Sequence, residues 1–408
     1  MSVENLTRVA VDREEDMLLD EISQIDITPG GEASFFCGID CGSTQTRSVL
    51  TPKNLVVQED GDIEEWFKRY IVIPSLSKIA PKNLSLRTRS NRLYDNLDSI
   101  FSINGDPEVR LVRGSRVNDV EAADQELVAS SKKVTSDILL FNIVDAIGYN
   151  LALFYTKIGK PIPSNVSIDL IVALPPDDML ERDIGGLRGK LENFTWSIPM
   201  KMLGDVEITV TAFAAYPEPF AQVQAYYCLA DEEVPEEVLL LESGGRNSSP
   251  VILLDGAPVG FGLKSIEQSG SMLLDRIGRA YIEEYGGKAP GRRLLEQAVR
   301  TGNMKFGNAS RDITGIIKTC KDAVAMDLFQ KLQSDIISKQ TTVNFESLNA
   351  VLLSGRVYRE GEYGYSVAAK LESLIKAVSP ATQVKIIDEN RIPEGLVLLY
   401  LNDKILAG

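Results

Sequence analysis

The 408-residue chain contains no histidine. That absence removes Ser-His-Asp and Cys-His nucleophilic catalysis and most zinc hydrolase designs, so acid or base work must fall to carboxylates, lysine or tyrosine. Cysteine is sparse: Cys37, Cys41, Cys228 and Cys320 form no CxxC spacing, and reduced thiols are expected. Cys37 and Cys41 could join a metal site only with a short donor set; the simpler expectation is small buried hydrophobes. Positive charge is in deficit, with 43 Lys and Arg against 58 Asp and Glu and a formal net charge of −15. Such a balance disfavours direct attraction to nucleic acid or an anionic membrane, both polyanions, so any DNA contact would run through a basic partner. Long apolar runs are also missing. The segment 138–154 is broken by Asn142, Asp145 and Asn150, short of the roughly 18 residues a membrane span needs. Residues 1–20 are acidic and lack the basic start and apolar block of a secretory signal, which makes the cytoplasm the expected location.

What is present is a hydrophobic share of 44%, enough for a large core in two or three domains. Residues 1–34 read as an acidic extension closed by Thr28-Pro-Gly-Gly-Glu32, either solvated or a docking segment for a basic partner. Strands and helices then alternate. A hairpin is expected over 35–50, strands at 70–73 and 108–112, a helix over 136–158, a buried strand at 167–175, an alternating strand at 206–213 and a helix over 219–229. A second round starts at Val238, with helices expected over 271–285, 291–301 and 311–338, a buried strand at 349–355, a helix over 365–378 and a last helix from Pro393. The economical arrangement is two similar α/β halves with a cleft between them.

The stretch Phe35 to Leu50, FFCGIDCGSTQTRSVL, runs apolar residues into Asp40, turns at once, and returns in alternation. A carboxylate closing a buried strand beside a glycine turn sits next to outward backbone N–H groups, and glycine lets the backbone approach phosphate oxygens closely. No lysine lies near Asp40 in sequence, so it is expected to hold Mg2+ through water. The pattern returns in VLLLESGGRNSSPVILLDG, where Glu242 precedes Gly244 and Gly245. Two such hairpins facing each other would grip a triphosphate from both sides.

This arrangement resembles the phosphate hairpins of the actin, Hsp70 and sugar-kinase superfamily. Gly38, Asp40, Gly42, Ser43 and Thr44, followed by Gln45, match its first phosphate loop, and Leu241 to Ser249 match the second. LLSGRVYRE (352–360) resembles the segment over the adenosine, and IPEGLVLLYL (392–401) the closing helix with its Gly395. SIDLIVALP and AAYPEPFAQ resemble the plasmid-segregation actins of the ParM type, whose strand ending in Leu-Pro is followed by Pro-Glu at a helix start.

The resemblance implies a ribonuclease-H-like α/β fold: actin-like domain I over 35–230 with a small inserted subdomain at about 52–115, domain II over 231–385, and a closing strand and helix over 386–408. It implies ATP or GTP with Mg2+, Asp40 and Glu242 acting on the metal through water, and Glu218 orienting or deprotonating the attacking water. Gly42, Ser43, Thr44, Gln45, Gly244, Gly245, Arg246, Asn247, Ser354, Gly355 and Arg356 are the expected nucleotide contacts. Filament self-assembly and a basic DNA-binding adaptor are the expected partners.

Three departures mark a divergent member. Glu242 stands where Asp is usual, Arg246-Asn247 replaces a Gly-Thr or Thr-x-Asp pattern, and Ser354-Gly355-Arg356 replaces a run of glycines. Arg246 either aids the phosphates or points to solvent; Arg356 either stacks on a base or is surface charge. Altered base preference, slow hydrolysis or a hydrolysis-poor scaffold would follow. The segments GGLRGKL, YGGKAPG and GFGLKS lack P-loop or dinucleotide spacing and are expected as turns or helix ends. A small-molecule kinase of the same superfold would need a substrate-side acid, for which LPPDDM offers Asp177 and Asp178, otherwise a helix cap. An Hsp70-like chaperone fits poorly, since no substrate-binding β-domain is recognisable.

Overall fold

The structure is a computed structural model that describes residues 33–42, 45–53, 71–74, 77–80, 98–113, 133–157, 160–175, 178–197, 206–230, 234–244, 248–259, 266, 270–306, 309–336, 345–355, 357–358, 367–387 and 391–407. Residues 1–32 of the acidic extension, Ser43, Thr44, Asp177, Gly245, Arg246, Asn247 and Arg356 lie outside these residues, while Ala33 and Ser34 of the expected extension begin the first strand.

The chain divides into two units, Met1–Leu229 with Asn390–Gly408, and Ala230–Glu389. In chain order the first unit holds β1 (Ala33–Cys41), β2 (Gln45–Pro52), β3 (Ile71–Pro74), β4 (Ser77–Ile79), β5 (Ser99–Ile103), β6 (Val109–Arg113), α1 (Asp137–Lys157), β7 (Asn165–Leu174), α2 (Glu181–Lys190), β8 (Asn193–Ser197), β9 (Val206–Pro217) and α3 (Glu218–Ala230). The second holds β10 (Glu237–Ser243), β11 (Ser248–Leu254), β12 (Ala257–Val259), α4 (Gly270–Tyr285), α5 (Arg292–Thr301), β13 (Asn303–Phe306), β14 (Ala309–Asp312), α6 (Thr314–Lys331), β15 (Ala350–Ser354), α7 (Val367–Val378) and β16 (Gln383–Ile387). The chain then returns to the first unit as α8 (Ile392–Ala407).

The first unit is one mixed sheet in the order β3-β2-β1-β7-β9-β8-β5-β6-β4. Its centre, β1-β7-β9, is parallel. The unbroken apolar run of β7 follows from cover on both faces: Ile168, Leu170, Val172 and Leu174 enter one core, Ile171 and Ala173 the other, which α8 completes. Two glycines let α8 close in. A Cβ on Gly38 of β1 would lie 2.1 Å from the Pro393 carbonyl oxygen, and one on Gly395 2.0 Å from Ala225 Cβ in α3. A polar cluster holds the same helix: Asp169 accepts from Lys53 at 2.8 Å, Thr211 at 2.7 Å and Tyr400 of α8 at 3.1 Å. Burial alone would raise the Asp169 pKa; these hydrogen bonds and the Lys53 charge outweigh it and hold the carboxyl below its ordinary value.

By length and composition α1 passes as a membrane span over Asp137–Tyr155, contrary to the sequence expectation, but 78% of that window is buried inside the protein. The three polar residues that interrupt it are internal anchors. Asp145 accepts from Arg113 at 2.6 Å, Ser99 at 2.6 Å and Trp196 at 3.0 Å, Asn142 accepts from Arg113, and Asn150 donates to Ser48. Arg113 and Asp145 are fully buried, tolerable because each charge is paired and hydrogen-bonded.

The second unit has a sheet ordered β12-β11-β10-β15-β16, with β10, β15 and β16 parallel. Leu239, Leu241, Val351 and Leu353 share its core with α4, α6 and α7. The helix expected over 311–338 is shorter. Arg311 belongs to the β13-β14 hairpin, and the Asp312 carboxylate takes the Thr314 N–H at 2.9 Å across the N-cap residue Ile313, just before α6. A π-turn, Leu332–Ile336, follows α6.

Candidate functional site

In the first unit, register decides which side chains meet. Asp40 pairs with Ala173 across β1-β7, and Ala173 with Tyr216 across β7-β9. Glu218 follows Tyr216 by two residues and opens α3. Asp40 and Tyr216 therefore stand in one row at the carboxyl edge of three parallel strands, two strand spacings or about 10 Å apart, and Glu218 lies just beyond that row. In open α/β sheets that edge is where ligands bind. The Glu218 carboxylate is half-buried at the positive end of the α3 dipole.

The β1-β2 hairpin closes with Asp40 opposite Arg47 and Cys41 opposite Thr46. Gly42 is required by the turn, since a Cβ there would lie 2.8 Å from the Gln45 carbonyl oxygen. Gln45 is the half-buried first residue of β2. Arg47 Nη1 donates to Asp40 Oδ2 at 2.8 Å, and both side chains are buried. The expectation that Asp40 faces no neighbouring cation is thus corrected. Hairpin pairing carries Arg47 to it from seven residues on. The alternation of QTRSVL was the available signal, because a four-residue turn dictates that pairing.

The second unit repeats the register. Glu242 lies opposite Ser249 and Ser243 opposite Ser248 in β10-β11, and Glu242 is beside Ser354 in β15. The Gly244 carbonyl accepts the Gly270 N–H at 3.2 Å, which brings the α4 N-terminus to the turn. Gly355 has φ +108°, and a Cβ there would lie 2.1 Å from the Ser243 carbonyl oxygen, so the end of β15 lies against the end of β10 at a position that admits only glycine. Sequence reading missed the three hydroxyls that bind these segments. Ser243 Oγ is 2.5 Å from Ser248 Oγ and 2.6 Å from Tyr358 OH, all buried. Burial pushes the Tyr358 hydroxyl pKa up, the hydrogen bond with Ser243 opposes that, and the nearby Glu242 charge adds to the rise. Ser354 Oγ is buried and meets no hydrogen-bond partner among the described residues.

No protein-family model and no curated protein matches the chain by sequence. Solved structures do match by shape. Ta0583, an archaeal actin homologue, superposes with a TM-score of 0.64 at 13% identity, covering 90% of this chain and 99% of that one. A protomer of a 15-stranded ParM filament from Clostridium botulinum gives 0.62 at 13%, covering 90% and 99%. Bacillus thuringiensis ParM with ATP gives 0.58 at 15%, covering 92% and 100%.

The fold is that of actin.

Within this actin-like chain Asp40, Gly42, Gln45 and Glu218 belong to the first unit, and Glu242, Gly244, Ser354 and Gly355 to the second. Each set gathers at the carboxyl edge of its own parallel strands. The residues fit a nucleotide on two counts: glycine turns too tight for a Cβ, and the unsatisfied Ser354 hydroxyl. A water-mediated Mg2+ suits Glu242, whose cross-strand neighbour Ser249 is uncharged, and suits Asp40 through the oxygen not bonded to Arg47.

Asp178, offered as a kinase base, is buried and accepts the Val134 N–H at 3.2 Å. Nor does it cap α2, whose N-cap is Leu180 with no side-chain hydrogen bond. Of the discounted glycine segments, Gly185, Gly186 and Gly189 lie inside α2, while Gly286 and Gly287 have positive φ just after α4. Cys37 and Cys41 are buried in the core, and burial pushes the Cys37 thiol pKa up.

Proposed function

We propose that this chain is a filament-forming actin-like nucleoside triphosphatase, using ATP or GTP with Mg2+, that moves or segregates plasmid DNA in the cytoplasm through a basic adaptor protein. The observation that carries the reading is the register row Asp40–Ala173–Tyr216, with Gly42 and Glu218 just beyond it, at the carboxyl edge of the β1-β7-β9 sheet. The turns at Gly42 and Gly244 bind phosphate oxygens, and Ser354 and Gly355 contact the nucleoside side. Bound Mg2+ neutralises phosphate charge as it develops. Glu218, held by the helix dipole, orients the attacking water and takes its proton; Arg47 holds the Asp40 carboxylate in place. The net charge of −15 favours a basic adaptor over direct DNA contact. Filament and ATP complexes among proteins of this shape support the assembly and nucleotide parts of the proposal.

The test is sedimentation and negative-stain microscopy with ATP or GTP and Mg2+, run beside phosphate release. The wild-type chain is expected to pellet as filaments with nucleotide and to release phosphate. Glu218→Gln is expected to cut phosphate release by at least about 100-fold and to give longer-lived filaments. A chain that stays monomeric and binds neither nucleotide would sink the proposal.

A further inference from the structure

Three side-chain amides are buried among the described residues: Asn142, Asn150 and Gln222. Two are satisfied. Asn142 Oδ1 accepts from Arg113 at 2.6 Å, and Asn150 Nδ2 donates to Ser48 Oγ at 2.7 Å and the Ala146 carbonyl at 2.9 Å. Gln222 differs. It is 2% exposed, and neither its Oε1 nor its Nε2 meets a hydrogen-bond partner among the described residues. No other described side chain leaves two such atoms. An amide able to make several hydrogen bonds and making none inside the protein destabilises the fold, and leucine or methionine would fill a similar volume without that penalty. Retained unsatisfied polar groups call for an explanation, catalysis among them.

Position supplies it. Gln222 follows Glu218 by four residues on α3, so the two share a helix face with Cβ atoms about 5–6 Å apart. Helical Cα–Cβ bonds lean toward the N-terminus. For α3 that end is the carboxyl edge of β1, β7 and β9, where Asp40 and Glu218 stand. The Cα–Cβ bond of Gln222 thus leans toward the turn that carries Glu218, and its amide is not hydrogen-bonded to that carboxylate.

We propose that Gln222 and Glu218 together hold the attacking water, a role that rests on the triphosphatase reading above. The amide carbonyl accepts one water O–H and the Glu218 carboxylate accepts the other, which turns a lone pair toward the γ-phosphorus. In the reaction the water oxygen bonds to that phosphorus. The bridging oxygen leaves with the diphosphate, and the water proton passes to Glu218 and then to solvent. Gln222 exchanges no proton. It lowers the freedom of the nucleophile, which acts on the rate of hydrolysis and not on the affinity for nucleotide.

The experiment compares full-length wild type, Gln222→Met, Gln222→Glu and Glu218→Gln in three readouts: phosphate release at saturating ATP and GTP with Mg2+, nucleotide affinity, and melting temperature without nucleotide. For Gln222→Met the expectation is a kcat lowered at least tenfold, an affinity within about twofold of wild type, and a melting temperature equal to or above wild type. Gln222→Glu, which keeps a hydrogen-bonding head group, is expected to recover part of the rate below neutral pH, where the buried acid is protonated. A Gln222→Met protein with the wild-type rate overturns the inference, as does one whose rate, affinity and melting temperature fall together. If Glu218→Gln is slow while Gln222→Met is normal, only the role of Gln222 fails. If the wild-type chain neither binds nor hydrolyses either nucleotide, the triphosphatase reading fails first.

Discussion

The two glycine hairpins share one backbone plan and differ in what stabilises it. In each, an acid stands two residues before the turn glycine, and the last pair spans the same four positions: Cys41 opposite Thr46, Ser243 opposite Ser248. The cross-strand partner of the acid is Arg47 in the first and Ser249 in the second. Asp40 therefore sits in a buried ion pair, whereas the β10-β11 hairpin is tied by neutral hydroxyls and lies close against Gly355 at the end of β15. A charge taken out of water needs its partner, while a hydroxyl chain tolerates the loss of one member more cheaply. One geometry is thus closed by an ion pair across the hairpin in one unit and by a chain of hydroxyls in the other.

The largest expected effect breaks the first hairpin. Arg47→Met leaves the Asp40 carboxylate buried and unpaired and should cost the first unit about 3–5 kcal/mol in urea unfolding. Tryptophan fluorescence follows that unit, because Trp196 is buried within it. The matching change Ser249→Ala should cost about 0.5 kcal/mol or less. Equal losses at the two positions would dissolve the contrast between ionic and neutral hairpins.

Next in size is Gly355→Ala, which puts a Cβ 2.1 Å from a backbone oxygen at φ +108°. A loss of about 1–3 kcal/mol confined to the second unit is expected, read by hydrogen exchange in β10 and β15. Wild-type protection there would mean that the end of β15 does not rest against β10. Smallest is Tyr358→Phe, which deletes one hydroxyl and leaves the Ser243–Ser248 bond intact, for about 1 kcal/mol. A much larger loss on thermal melting would show the hydroxyl chain behaving as one unit.

Much of this was legible in sequence because it is local. Apolar runs ending in an acid and a glycine announced both hairpins, and Pro217-Glu218 announced the start of α3. What escaped was pairing at a distance. Nothing in the linear pattern of α1 says that Asp145 will meet Arg113, Ser99 and Trp196, so its polar residues read as interruptions when they are anchors. The β13-β14 hairpin falls mostly in the unassigned residues 302–310, with only Arg311 and Asp312 inside an expected helix, because its strands are too short to show alternation.

By itself the sequence determined the alternation of strands and helices, the two acid–glycine turns and the exclusion of histidine chemistry, since each depends on neighbours within a few positions. Tertiary structure decided which partner Asp40 received, that Gly38 and Gly395 would admit α8 against β1 and α3, and that Gln222 would be buried without a hydrogen-bond partner among the described residues. Those outcomes depend on strand register and close packing, which place side chains far apart in the chain within bonding distance and have no periodic trace along it.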